Sequence, residues 1–223
     1  NEFDWARRIA EQFGTRHREV RIDADDLWRF MPELVFHQDE PIADPVCVPL
    51  YFVAKLAKDS GVTVVHVGEG ADELLAGYPT YVQAHAMHRP WRRLQTLPRV
   101  LRLLLSRIGA AALQQRPALQ IHREALLRAG QAESHLWWGG AVAFYEQALQ
   151  RMTTGALSRN AGSEAPREVV AQIAADATAA GARDDLDRLI YQDLRLRLPE
   201  LLLMRVDKLT MANSIEARVP FLD

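Results

Sequence analysis

Apolar positions recur every three to four residues over most of this chain, and the exceptions mark where strands and loops are expected. From Glu2 to Phe13, Phe3, Ala6, Ile9, Ala10 and Phe13 share one helical face with charges opposite, and Gly14 is a natural terminator. Val20 and Ile22 then alternate with polar neighbours, which predicts a short strand. Asp25 or Asp26 can cap a second helix whose apolar positions are Leu27, Phe30, Met31, Leu34 and Val35. Pro41, Pro45 and Pro49 make His37 to Pro49 an irregular acidic loop, before a helix from Leu50 to Lys58 that Gly61 ends. Val62 to Val67 is β-branched except for His66, as a parallel strand covered on both faces requires. The order of elements is βαβ-like, so a right-handed crossover is expected.

The second half keeps the helical rhythm. Leu94, Leu97, Leu101, Leu104, Leu105 and Ile108 are spaced to form one buried face. His135, Trp137 and Trp138 open another helical stretch through Leu149, with the tryptophans as core or interface anchors. Asn160 to Pro166 reads as a polar loop and Glu168 to Ala180 as helix. Asp184 or Asp185 can cap a long helical stretch to Asn213, interrupted near Pro199, with Leu186, Ile190, Leu194, Leu198 and Leu201 inward. The expected class is α/β, a parallel sheet remnant with a predominantly helical second half. Its expected divisions are 1–82 as a partial nucleotide-binding core, 83–183 as a helical insertion, and 184–223 returning to the site.

Composition narrows the function. A chain of 223 residues can bury one core or two small ones. The formal charge of −2 argues against nucleic acid as a general partner. Charge is uneven, however. Between Glu73 and Glu124 there are eight arginines, from Arg89 to Arg123, and no acid. That pattern suits either an amphipathic helix on an anionic membrane or acidic partner, or a helix packed by its leucines with solvated arginines, which is preferred. No uncharged apolar run approaches the ~20 residues of a membrane span, so no membrane partner is expected. Cys47 is the only cysteine, which fits a reducing, cytoplasmic compartment. With no initial methionine, no visible signal peptide and an end on PFLD, the chain reads like a piece of something longer.

The candidate chemistry follows the apolar run: Gly68, Glu69, Gly70, Ala71, Asp72 and Glu73 sit just past the end of the expected strand, where open α/β sheets bind ligands. Two glycines free the backbone for close approach. Three carboxylates in five residues repel bare phosphate, so a metal bridging phosphate and carboxylate is implied. The same residues can also be ordinary caps and turn punctuation.

GEGADELLAGY resembles the SGEGADE-x-x-GGY signature of the synthetase domain of glutamine-dependent asparagine synthetases. HQDEPIADPVCVP, from His37 to Pro49, is similar to that family's DEP-x-ADPS-x-x-P loop. LPELLLMRVDKLTMANSIEARVPFLD, from Leu198 to Asp223, resembles its segment ending E-x-R-V-P-F-L-D. Val67 stands where the family carries serine, and Ala76 where it carries the first glycine of GGY.

The resemblance implies a nucleotide α-hydrolase-like, Rossmann-like fold and an ATP-dependent amide-forming ligase. In such enzymes aspartate attacks the α-phosphate of ATP to give β-aspartyl-AMP, and glutamine-derived ammonia from a glutaminase domain displaces AMP. It implies Glu69 as the catalytic acid, Val67, Gly68 and Gly70 as ATP-contacting positions, and Asp72 with Glu73 as holders of Mg2+. Arg218 is left as either structural or phosphate-facing, and Glu216 as a charge fixing a turn. The family's Ser-Gly-Gly-x-Asp-Ser loop, N-terminal cysteine and late lysine would lie outside residues 1–223, so this stretch alone is expected to be inactive. An exposed sheet edge leaves a homodimer open. Two alternatives remain: a related amidotransferase or lactam-forming synthetase, and a non-catalytic arginine-rich helical binding module.

Overall fold

A computed structural model describes residues 3–40, 42, 44–116, 119–131, 152–153, 155 and 165–223. The helix expected from His135 through Leu149 and residues 160–164 of the expected polar loop lie outside them. In chain order come helices α1 (Phe3–Phe13), α2 (Ala24–Gln38) and α3 (Cys47–Asp59), strand β1 (Val64–His66), then α4 (Ala71–Leu75). Helices α5 (Pro79–Gln95), α6 (Arg99–Ala112), α7 (Gln120–Gln131), α8 (Ala165–Ala179) and α9 (Asp185–Arg195) follow. A π-helical turn at Leu198–Leu203 leads into α10 (Met204–Met211), β2 (Glu216–Arg218) and a 3-10 turn at Pro220–Leu222. The chain groups into two compact units, Asn1–Gly70 with Glu200–Asp223, and Ala71–Pro199.

The first unit is built on α10, which packs against α2 and α3. Its buried side chains include Phe30, Cys47, Val48, Ala54, Leu202, Val206, Leu209 and Ile215. Phe30 stacks on Tyr51 with ring centroids 4.0 Å apart. Asp23, rather than the expected Asp25 or Asp26, caps α2, and Asp26 closes a reciprocal capping box with it. Helix α3 begins at Cys47 rather than Leu50, so Pro49 falls in its first turn, where a missing N–H costs nothing.

The mixed α/β class expected from the sequence is present, with a two-stranded parallel sheet. Val64, Val65 and His66 lie opposite Glu216, Ala217 and Arg218. Three details differ from expectation. The strand is three residues long, and Val62 and Val64 stay partly exposed rather than covered on both faces. Strand β2 carries no apolar signature in Glu216-Ala217-Arg218; only its partner makes it a strand. Val20 and Ile22 do alternate in burial with Arg21, but no ladder forms there, because alternation without a neighbouring strand leaves only extended chain.

In the second unit α6 packs on α7, and α9 packs on α4, α5 and α8. Here the leucine face of α6 is corrected. Leu101, Leu104, Leu105 and Ile108 are each more than 40% exposed, while Ser106 and Ala110 are buried. A Cβ at Gly109 would meet Leu126 Cδ1 at 3.0 Å, and one at Gly130 would meet Ser106 Cβ at 2.9 Å. Small residues let the two helix backbones approach closely, and that contact overrides the apolar stripe. Helix α9 keeps part of the expected side: Leu186 packs against a core cluster, and Leu198, just beyond the helix, is buried. Its buried positions are Leu189, Gln192 and Asp193, with Leu189 in a cluster with Tyr81 and Ala84. Asp184 caps it through the amides of Leu186 and Asp187. Among the described residues no helix is long and apolar enough to cross a membrane.

Candidate functional site

The motif Gly68 to Glu73 falls where β1 has ended and α4 begins, and the boundary between the two units runs through it, after Gly70. Each half is built differently.

In the first unit the ladder continues one bond past β1, with the Val67 amide donating to the Arg218 carbonyl at 2.9 Å. That commits the N–H of Val67 and leaves its carbonyl as the group it can offer a ligand. Gly68 faces open space: among the described residues, apart from its two neighbours in the chain, nothing lies within 4 Å of where a side chain would start. Gly70 is glycine for an internal reason. Its φ is +90°, and a Cβ there would sit 2.5 Å from the side chain of Leu222.

Glu69 follows directly, with 22% of its side chain exposed. One carboxylate oxygen accepts a hydrogen bond from Nη2 of Arg205 at 3.2 Å. The other terminal nitrogen of that guanidinium, Nη1, donates to Asp44 in the acidic loop. One cation on α10 therefore holds two carboxylates that are distant in sequence. Burial alone would lower the pKa of Arg205, but its hydrogen bonds and charge contacts with Asp44 and Glu69 outweigh it and hold it above the ordinary value. Asp44 is itself fixed, since its Oδ1 accepts from the Val46 amide at 3.0 Å and its carbonyl from the Cys47 amide at 3.2 Å. One turn along α10, Lys208 donates to the Gln38 carbonyl and lies 3.8 Å from Glu40. The acidic loop and Glu69 are thus gathered by Arg205, with Lys208 beside Glu40 of the loop.

Sequence reasoning passed over Arg205 and Lys208. A signal was available: Arg205 interrupts LLLMRVDKL between Leu202, Val206 and Leu209, all buried, and a cation inside an apolar helical face needs anions brought to it.

In the second unit the remaining two acids part company. Asp72 is exposed, with its side chain lying back over Gly77, where a Cβ would meet Asp72 Oδ1 at 2.0 Å. Glu73 is 1% exposed. Its Oε1 accepts from the Tyr78 hydroxyl at 2.7 Å and lies 3.8 Å from Arg197, whose guanidinium also sits over the Tyr78 ring at 4.4 Å. Burial, with the Glu73 hydrogen bond added, pushes the Tyr78 hydroxyl well above its ordinary pKa, so it stays a donor. Beside it the Tyr81 hydroxyl donates to Asp193 at 2.7 Å. Between these groups Ala76 adopts a left-handed conformation with φ of 55°. This is the position where the resembling family carries glycine, and the turn keeps the geometry that glycine suits.

Among the described residues no three His, Cys, Asp or Glu side chains converge to hold a metal. A lone exposed carboxylate such as Asp72 fits a magnesium that draws its other ligands from phosphate and water, and does not fit a site closed by protein alone. Arg218 pairs with Glu216 at 2.9 Å with both side chains exposed, a contact worth under about 1 kcal/mol.

The chain matches the asparagine synthase family over residues 1–223. A Bacillus subtilis protein, asparagine synthetase [glutamine-hydrolyzing] 1, is 31% identical across the whole of this chain, which covers 33% of that relative. A Mycobacterium tuberculosis protein, provisionally named as a glutamine-hydrolysing asparagine synthetase, is 34% identical across the whole chain, covering 32% of it. A second Bacillus subtilis relative, asparagine synthetase [glutamine-hydrolyzing] 3, is 35% identical over 40% of this chain and 14% of its own length. The chain thus spans about a third of the length of the first two relatives. No solved structure matches it.

Proposed function

The chain belongs to the asparagine synthase family, and on that premise we propose that the protein of which it is a part converts aspartate to asparagine. The observation that carries this reading is Glu69: it lies three residues past β1, part-exposed, with its carboxylate held by a buried arginine. A part-exposed carboxylate held in place in this way suits a proton acceptor at an acyl centre. ATP, as co-substrate, supplies the adenylyl group that activates the aspartate side chain, and magnesium, when bound, neutralises the departing pyrophosphate. Ammonia released from glutamine by a glutaminase domain then displaces AMP, and Glu69 takes up the proton the new amide nitrogen sheds.

Other residues divide the remaining tasks. Gly68 lets a ligand reach the backbone, and the Val67 carbonyl is its neighbouring acceptor. Asp72 is the residue assigned to magnesium, because its carboxylate is exposed while Glu73 is engaged by Tyr78 and Arg197. Gly70 and Glu73 become structural members of the motif. The location assigned to the whole protein is the cytoplasm.

The test uses the full-length protein with ATP, magnesium and ammonia across a panel of carboxylic acids. Pyrophosphate release that depends on aspartate, with asparagine as product, is expected. Release indifferent to aspartate would move the assignment to an amidotransferase or lactam-forming relative.

A further inference from the structure

Arg205 is 8% exposed, and its burial sets a strict requirement for partners. Its two terminal nitrogens meet Asp44 and Glu69, residues 161 and 136 positions away in sequence. Its Nε is buried with no hydrogen-bond partner among the described residues. Among the described residues its charge is paired with these two acids, and neither acid is interchangeable in position. Asp44 is tied to the start of α3 through the amides of Val46 and Cys47. Arg205 itself is rooted in α10, between the buried Leu202 and Leu209. A planar guanidinium serves two carboxylates at fixed angles, so a shift of Asp44 must be felt at Glu69.

We infer that Arg205 is a positioning residue: it couples the Asp44 loop to Glu69, so that the placement of the loop and the placement of the reactive carboxylate are one variable. The consequence for turnover rests on the reading of Glu69 given above; the mechanical coupling does not. In the reaction, a substrate that orders the Asp44 loop would by the same contact set Glu69 in line. Arg205 would act on kcat through Glu69 without touching the reacting atoms.

The experiment has two arms in the full-length protein. The first measures kcat and KM for aspartate-dependent pyrophosphate release in Arg205→Lys, Arg205→Met, Asp44→Asn and the double variant Arg205→Lys with Asp44→Asn. Lysine keeps the charge and loses the fork, so kcat should fall about a hundredfold, as a small misplacement of a reactive group does. KM for ATP should stay within about threefold. The double variant should be no slower than Arg205→Lys alone, because both changes break one network. Multiplying effects, or a folded Arg205→Met protein with kcat within about threefold of wild type, would overturn the inference.

The second arm follows hydrogen exchange at the Val46 and Cys47 amides without substrate. Exchange should quicken about tenfold or more in Arg205→Met, and in Arg205→Lys if methionine prevents folding. Unchanged exchange in the folded variant overturns the coupling. If wild type shows no aspartate-dependent release while exchange still responds, the assigned reaction fails and the coupling stands.

Discussion

Glu69 and Glu73 lie four residues apart in one motif and are the same residue type, yet their surroundings differ, and the roles proposed for them are opposite. Glu69 keeps 22% of its side chain exposed and meets one arm of an arginine that also serves Asp44. Glu73 is 1% exposed, bonded to Tyr78 and close to Arg197. An anion that must react needs access and a partner that steadies it without enclosing it. An anion enclosed by a hydroxyl and a cation instead ties the turn after α4 to the chain near Pro199. Removing it leaves a part-buried donor and a part-buried cation without their acceptor. The contrast shows that clustered carboxylates need not share one environment; burial separates Glu73 from Glu69.

The largest effect should separate the two acids directly. In the full-length protein, Glu69→Gln is expected to lower asparagine formation at least about a hundredfold while the melting temperature stays that of wild type. Arg205 retains Asp44 in that variant, so the fold keeps its anchor. Near-normal turnover would make Glu69 only a cap and erase the contrast.

Glu73→Ala should do the reverse, costing about 2 kcal/mol of stability in urea unfolding because the Tyr78 hydroxyl loses its acceptor and Arg197 its nearby carboxylate. A variant as stable as wild type, with turnover lost, would return Glu73 to the metal site that the motif alone suggested.

Ala76→Gly sharpens the comparison from the other side. A non-glycine residue at φ of 55° is strained, and glycine should raise stability by about 1 kcal/mol, read as a higher urea midpoint. Any loss of stability would mean that the methyl group's packing beside Tyr81 and Leu189 outweighs the backbone strain.

The smallest effect is a pH dependence confined to the second unit. His88 Nε2 lies 2.8 Å from Asp185, but burial lowers its pKa despite that carboxylate, with Arg92 and Arg188 opposing the proton as well. Asp185 already holds both arginines. The unfolded chain therefore takes the proton first. Stability should be full above about pH 6.5 and decline as the pH falls below it. Thermal melts across that range should show the slope in wild type and a flatter one in His88→Gln. Equal slopes would assign the dependence to another group.

Much of this was legible along the chain. The helices announce themselves through periodicity and caps, and β1 through its valines. The motif with Glu69 and Asp72 is legible because glycines and acids after a strand carry their chemistry locally. Tertiary structure decided what depends on a neighbour far away. It made a strand of Glu216-Ala217-Arg218 by pairing it with β1, and left Val20 to Ile22 without a ladder. It also turned α6 so that Ser106 and Ala110 are buried instead of Leu101 and Leu104. Arg205 reads as an interruption in an apolar run until Asp44 and Glu69 are brought to it. The physical reason is the same in each case: a residue's own preferences act over one or two turns of chain, whereas burial and hydrogen-bond partners are set by other segments, α7 for α6 and residues more than a hundred positions away for β1 and Arg205.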